Sequence, residues 1–478
     1  MIILNKKSKK LLSNTFLFFI GNLGSKFIQF FLVPLYTYTL TTIEYGTTDL
    51  IFTTINFLMP IFSLQVSDAL LRYGLDKNIN QKDTLNVCFK ILFIGSCISI
   101  CISPIMLFIE SMKDYIFYFI ILLNLKNYRD IFSIVLKIED KNKIYAIDSI
   151  IYTFVLCFLS FIFLAIFKTG INGYFCSYII ASLISICYIY YNINFKLKNT
   201  KDKMNPVLLK QIIIYSLPMI VNSLSYWITT ASDRYMLGIF VNVSFVGIYA
   251  VATKIPTIFT TFTSIFNQAW LLSSINEYET DRDSKFYSTT FNYYTGISFV
   301  VCTFLIAIIK PFMSLYVSSN YFIAWKSSIL LIISAVFSGI CAFINSIFYA
   351  YKKNVSATIT TLIGAISNII LNSLLIPKYD VMGASIATLI SWITIAISRI
   401  ISVQKIFTMK INYFKIIVCS LLLFLEVLIL LFLSNKLIIS SILIIAILIM
   451  IIIIYRDVIM YILKFFYNLI KKVKKKLK

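Results

Sequence analysis

The chain contains no histidine, and only 13% of its 478 residues are charged. Without imidazole there is no His-based metal site and no His-based acid–base catalysis. Nine cysteines are present, but no CxxC pair, and almost all lie inside apolar runs. Cys97 and Cys101 share one helical face of a single run, so packed or lipid-facing thiols are the reading. No P-loop is present, so no direct drive by ATP is visible. No aspartate-rich or DxD cluster suggests a sugar-nucleotide site, and no connection between apolar runs is long enough to fold as a soluble domain. Neither a cofactor nor a metal is expected, and the chain does not read as an enzyme.

Apolar length fills the space these absences leave. Hydrophobic residues make up 59% of the chain, and the mean hydropathy is +0.88. An apolar run of about 20 residues spans the hydrocarbon as a helix. Such runs predict an all-α polytopic membrane protein of about fourteen transmembrane helices. The first six lie at about 11–36, 46–71, 85–109, 115–136, 145–167 and 172–192. The next six lie at about 209–237, 245–272, 287–309, 325–349, 355–376 and 383–404, and two more at about 413–433 and 437–455. The segment Met1 to Lys10 is basic and runs into the first span with no small-residue cleavage site, unlike a removed signal peptide.

Lys and Arg number 43 against 20 Asp and Glu. A pI near 9.5 would suit a nucleic-acid partner, but these cations flank spans rather than cluster on a soluble domain. Of the 43, 32 fall in alternate gaps, in the span ends beside them (Arg399 among these) or at the two termini, six on the opposite side and five deep within spans. That asymmetry predicts both termini on the cytoplasmic side of the membrane. The tail 456–478 alternates apolar residues with Lys464, Lys471 and a terminal KKVKKK, a pattern for anionic lipid at the interface.

The chain also repeats itself. Asn22 and Asn222 follow similar leads, Gly46 is answered by Gly247, and Gly173 by Gly383. The offsets cluster at 200–210 residues. They predict an N-terminal six-helix bundle (1–200), a C-terminal one (201–410), two additional helices (411–455) and the basic tail (456–478). Six spans per half give both copies the same orientation, hence a pseudo-two-fold along the membrane normal and a cavity between the halves.

The five cations inside spans are Lys26, Lys126, Arg129, Arg234 and Lys254. A cation at mid-membrane costs roughly 2.5–3.5 kcal/mol on insertion scales, so each needs a cavity or a partner. By helical rise, Lys26, Lys126 and Lys254 fall near the midplane. Arg129 and Asp130 follow one turn from Lys126, and Asp233 and Arg234 lie at the outer end of the seventh span. Adjacent helical residues diverge by about 100°, so Asp233 and Arg234 cannot pair with each other. Asp68 and Arg72, four apart, read as a local ion pair or a gate element. Asp49, Asp130, Asp148 and Glu426 are other candidate acids, but they fall at other depths or in the added terminal spans. The midplane is thus expected to be net positive, suited to an anionic group such as a phosphate or pyrophosphate.

Two stretches carry a family resemblance. Ser232-Asp233-Arg234-Tyr235-Met236-Leu237-Gly238 through Val246-Gly247-Ile248-Tyr249-Ala250-Val251-Ala252 resembles a segment of bacterial polysaccharide (O-antigen) flippases, as does Ile376-Pro377-Lys378-Tyr379-Asp380-Val381-Met382-Gly383-Ala384-Ser385. These belong to the multidrug/oligosaccharidyl-lipid/polysaccharide exporter superfamily. Asp380 stands where that family usually has Gly. The resemblance implies a flippase moving undecaprenyl-pyrophosphate-linked oligosaccharide from the cytoplasmic to the outer leaflet for O-antigen or capsule assembly. It implies two bundles around a V-shaped cavity, two added helices, and basic residues of the first and eighth helices meeting the pyrophosphate, the helices that carry Lys26 and Lys254 here. Its partners would be the lipid-linked oligosaccharide, anionic lipids, and the polysaccharide polymerase and chain-length machinery. A multidrug or cation antiporter of the same superfamily would want acids in the cavity. A membrane polymerase would want a large outer loop. A passive scaffold would not need five intramembrane cations.

Overall fold

In hydrocarbon every backbone N–H and C=O must be bonded internally, so an apolar chain of this length folds as helices. The computed structural model describes residues 29–458 and 460, except 77–78, 111, 195–205, 281–283, 352, 434–436 and scattered side chains. The described residues are helical throughout, with no strand among them. In chain order the helices are α1 (29–39), α2 (Thr42–Phe62), α3 (Val66–Gly74), α4 (Gln81–Ile102), α5 (Ile116–Ile138), α6 (Asn142–Ser160), α7 (Gly170–Asn192) and α8 (Pro206–Phe240). There follow α9 (Val243–Ala252), α10 (Lys254–Thr280), α11 (Ser284–Tyr316), α12 (Ala324–Ala350), α13 (Asn354–Gln404), α14 (Tyr413–Phe432) and α15 (Leu437–Ile454).

Among the described residues, seven helices are long and apolar enough to cross a membrane, and nine if each of two bent pairs is one span. α5 has the length but carries Lys126, Arg129 and Asp130 along it. α13 is two antiparallel arms: a Cβ at Gly364 on the first would strike the Ile395 side chain on the second. With α13 so divided and the bent pairs joined, the helices form fourteen segments in the expected order, a polytopic all-α fold.

Two spans expected to be continuous are broken. The second bends by 52° between α2 and α3. Pro60 weakens its last turn, and Leu64 (φ 48°) and Gln65 (φ 49°) adopt the left-handed region. The eighth breaks at Thr253, between α9 and α10, with Pro256 in the first turn of α10. The start of α2 is fixed by a capping box in which Thr41 and Glu44 each bond the other's backbone N–H.

The repeat is visible in the backbone. Gly170 has φ 59° at the turn into α7, and Asp380, 210 residues on, has φ 48° at the turn between the arms of α13. Asp380 thus holds a conformation natural to Gly.

The chain divides into two compact units, Met1–Ala250 and Val251–Lys478. In the first, α3, α4, α5, α7 and α8 bury a common core around Leu70, Cys88, Ile131, Leu136, Ile189 and Ile212. In the second, α12 is the central helix, buried almost along its length, with α10, α11 and α13 packed around it. Outward apolar side chains such as Phe154, Phe158, Phe304 and Leu421 are left to lipid.

Candidate functional site

The first unit holds most of the intramembrane charge. Lys126 of α5 is half-buried and bonds Asn56 Oδ1 of α2. Among the described residues no carboxylate makes an ion pair with it; Asp130, one turn on, acts on it only at longer range. A donor rich in charge therefore meets a neutral acceptor, which leaves the ammonium without a contact counter-charge.

The two arginines are occupied differently. Arg129 bonds Asp148 of α6 at 3.1 Å and Ser185 of α7 at 2.7 Å, while Ser185 donates to Asp148 at 2.6 Å. The guanidinium also lies 3.8 Å from the centre of the Tyr152 ring. Arg234 of α8 bonds Asp49 of α2 at 2.5 Å and the Thr230 carbonyl at 3.2 Å. Neighbouring Asp233 accepts from the Tyr249 hydroxyl at 2.5 Å. Asp233 and Arg234 thus find separate partners, as their divergence requires. Asp49 and Asp148 do meet the span cations, contrary to the depth argument. Measured from helix ends, Asp49 and Arg234 both sit about two turns in from the same side. Arg129 reaches Asp148 with its long side chain.

Asp68 and Arg72 do not pair. Asp68 accepts from Gln65 Nε2 at 3.0 Å, and both residues are exposed on α3. Lys254 is half-buried and is the first residue of α10, immediately after the break. A half-helix N-terminus inside a span adds partial positive charge to that of the side chain. Lys26 lies outside the described residues.

Around these charges α2 and α8 share a polar and aromatic seam. Trp227 Nε1 donates to the Thr53 carbonyl at 2.9 Å, Thr54 bonds Tyr235, and Phe57 lies 4.4 Å from Trp227 between ring centres. The seam continues to the starts of α2 and α9. A Cβ at Gly46 would run into the Val243 carbonyl, and one at Gly247 into the Thr42 carbonyl. Thr42 and Ser244 join hydroxyls at 2.7 Å. The repeat-related glycines are therefore where two repeat-related helix starts cross.

Sequence reasoning missed Asn56, although it is a polar residue inside a span. It also assigned Arg399 to a cytoplasmic flank. Arg399 is buried between the arms of α13 and α12, bonding Thr360, Thr361 and the Cys341 carbonyl at 3.2, 2.9 and 2.6 Å.

The chain belongs to the polysaccharide biosynthesis protein family, whose model matches residues 11–271. No curated protein matches the chain in sequence. Among solved structures, the lipid II flippase MurJ in an inward closed conformation superposes with a TM-score of 0.68 at 18% identity, covering 93% of this chain and 100% of that one. An inward-facing multidrug resistance MATE transporter gives 0.63 at 15% identity, covering 81% and 94%. A Pyrococcus furiosus transporter of the superfamily, described as having a binding pocket of reversed polarity that suggests a different function, gives 0.54 at 15%, covering 83% and 96%.

Proposed function

We propose that the chain is a flippase that moves an undecaprenyl-pyrophosphate-linked oligosaccharide from the cytoplasmic to the outer leaflet by alternating access. It would serve O-antigen or capsule assembly in a bacterial plasma membrane, with both termini cytoplasmic. The observation that carries this reading is Lys126: a half-buried mid-span ammonium with an amide oxygen for a partner and, among the described residues, no carboxylate in contact with it. The arginines of the same unit are already neutralised by Asp148 and Asp49. A pyrophosphate would supply the contact counter-charge that Lys126 lacks.

Family membership supports a polysaccharide substrate, and the fold shared with a lipid II flippase supports a lipid-linked one. The fold is also shared with multidrug transporters, so polarity separates the two readings. A cationic drug would be repelled at Lys126, and Asp49 and Asp148 are committed to arginines. No catalytic role is assigned to any residue. The polymerase and chain-length machinery are the expected protein partners, and the basic tail, of which 461–478 lie outside the described residues, is expected to meet anionic lipid.

The test is reconstitution of the full chain in vesicles, following a fluorescent undecaprenyl-pyrophosphate oligosaccharide between leaflets by accessibility to an external quencher. The proposal expects protein-dependent translocation, slowed at least tenfold in Lys126→Ala. Translocation of an organic cation instead, with no movement of the lipid-linked sugar, would overturn it.

A further inference from the structure

Glu426 is buried with no hydrogen bond or ion pair among the described residues. It lies on the buried face of α14 with Cys419, Leu423, Val427 and Leu430, at 0% exposure. Neither carboxyl oxygen has a hydrogen-bond partner. α14 packs against α11, α12 and α15. α15 carries no titratable side chain. α11 offers the fully buried Cys302 thiol, which interacts electrostatically with Glu426. α12 carries Cys341, with Lys326 and Tyr349 towards its two ends. On α14 itself, Cys419 lies two turns away and Lys415 sits over the Tyr455 ring. A bare carboxylate with neither counter-charge nor donor is not tolerated at membrane depth, so the carboxyl there carries its proton.

We propose that Glu426 is a proton-binding site of the second unit: it holds a proton while α14 is packed as seen, and releases it when the α14–α15 pair parts from α11 and α12 and admits water. The step is a simple protonation, with carboxylate and proton on the open side and carboxylic acid on the packed side. Packing of these helices then depends on pH, and a proton gradient can bias their movement without any relay of further carboxylates. The site lies outside the polar seam of α2 and α8 and stands whatever the cargo is.

The test uses the full chain in lipid vesicles. Infrared difference spectra on hydrogen–deuterium exchange should show the carbonyl stretch of a protonated, desolvated carboxyl near neutral pH, absent from Glu426→Gln. Glu426→Leu, which removes an unpartnered polar group, should melt at or above the wild-type temperature. Maleimide labelling of Cys419, taken as the ratio of wild type to Glu426→Gln at each pH, should rise several-fold as pH increases, because only the wild type gains a charge that packing cannot hold. An identical infrared spectrum in wild type and Glu426→Gln would overturn the protonated assignment. Absence of such a carbonyl stretch from the wild-type spectrum itself would do the same, whether or not the variants fold. A flat Cys419 ratio would overturn the coupling to helix movement.

Discussion

The two units treat buried charge in opposite ways. In the first, arginine meets aspartate: Arg129 with Asp148, and Arg234 with Asp49. In the second, Arg399 is held by two threonine hydroxyls and a carbonyl, and Glu426 by no hydrogen bond or ion pair among the described residues. Paired charges fix helices to one another, because separating them strands two ions in hydrocarbon. Isolated charges impose no such lock. Lys126 is the exception among the described span cations of the first unit, with an amide oxygen and no carboxylate in contact, and it is there that the proposed anionic cargo would gain most.

The largest expected effect comes from breaking a pair. Arg129→Met leaves Asp148 buried with Ser185 alone and should cost about 3–5 kcal/mol, read as loss of folded protein or a lowered melting temperature in detergent. Adding Asp148→Leu should recover most of that loss, since no uncompensated ion remains. Arg399→Met, by contrast, strands no acid, and Thr360 and Thr361 keep bonds to their own helix. It should cost less than about 1 kcal/mol. Equal costs at Arg129 and Arg399 would erase the distinction between the units.

The helix crossing of the first unit is the next most sensitive place. Gly46→Val puts side-chain atoms into the Val243 carbonyl, and the overpacking should cost about 1–3 kcal/mol. Gly238→Val meets only ordinary contacts with Leu50 and Val246 and should cost less, a contrast that melting temperatures would read. The smallest effect is a gain. Asp380→Gly relieves a left-handed aspartate and should stabilise the chain by about 1 kcal/mol, whereas Gly170→Asp should destabilise it comparably.

The spans were legible because a long apolar run has few alternatives in lipid, and the repeat because its glycines sit where a side chain would not fit: Gly46, Gly247 and Gly383 against backbone carbonyls, and Gly173 against the Thr169 side chain. The breaks at 63–65 and Thr253 were not, since hydropathy runs smoothly across them and Pro60 and Pro256 mark them only in hindsight. The charge partners were hidden for a different reason. Asp49 and Arg234 lie 185 residues apart, and a depth scale drawn along each helix ignores which helices touch and how far a guanidinium reaches. Arg399 was misplaced because it lies near the end of its apolar run, where a cytoplasmic flank and a buried site look alike in sequence.

The account turns on the missing contact counter-charge at Lys126. Its most direct measurement is the affinity of the full chain for a short-chain polyprenyl pyrophosphate, compared among wild type, Lys126→Arg and Lys126→Ala. The account predicts near wild-type binding for Arg and a loss of at least about tenfold for Ala, on the order of 1.4 kcal/mol. Unchanged affinity in a well-folded Lys126→Ala protein would contradict it.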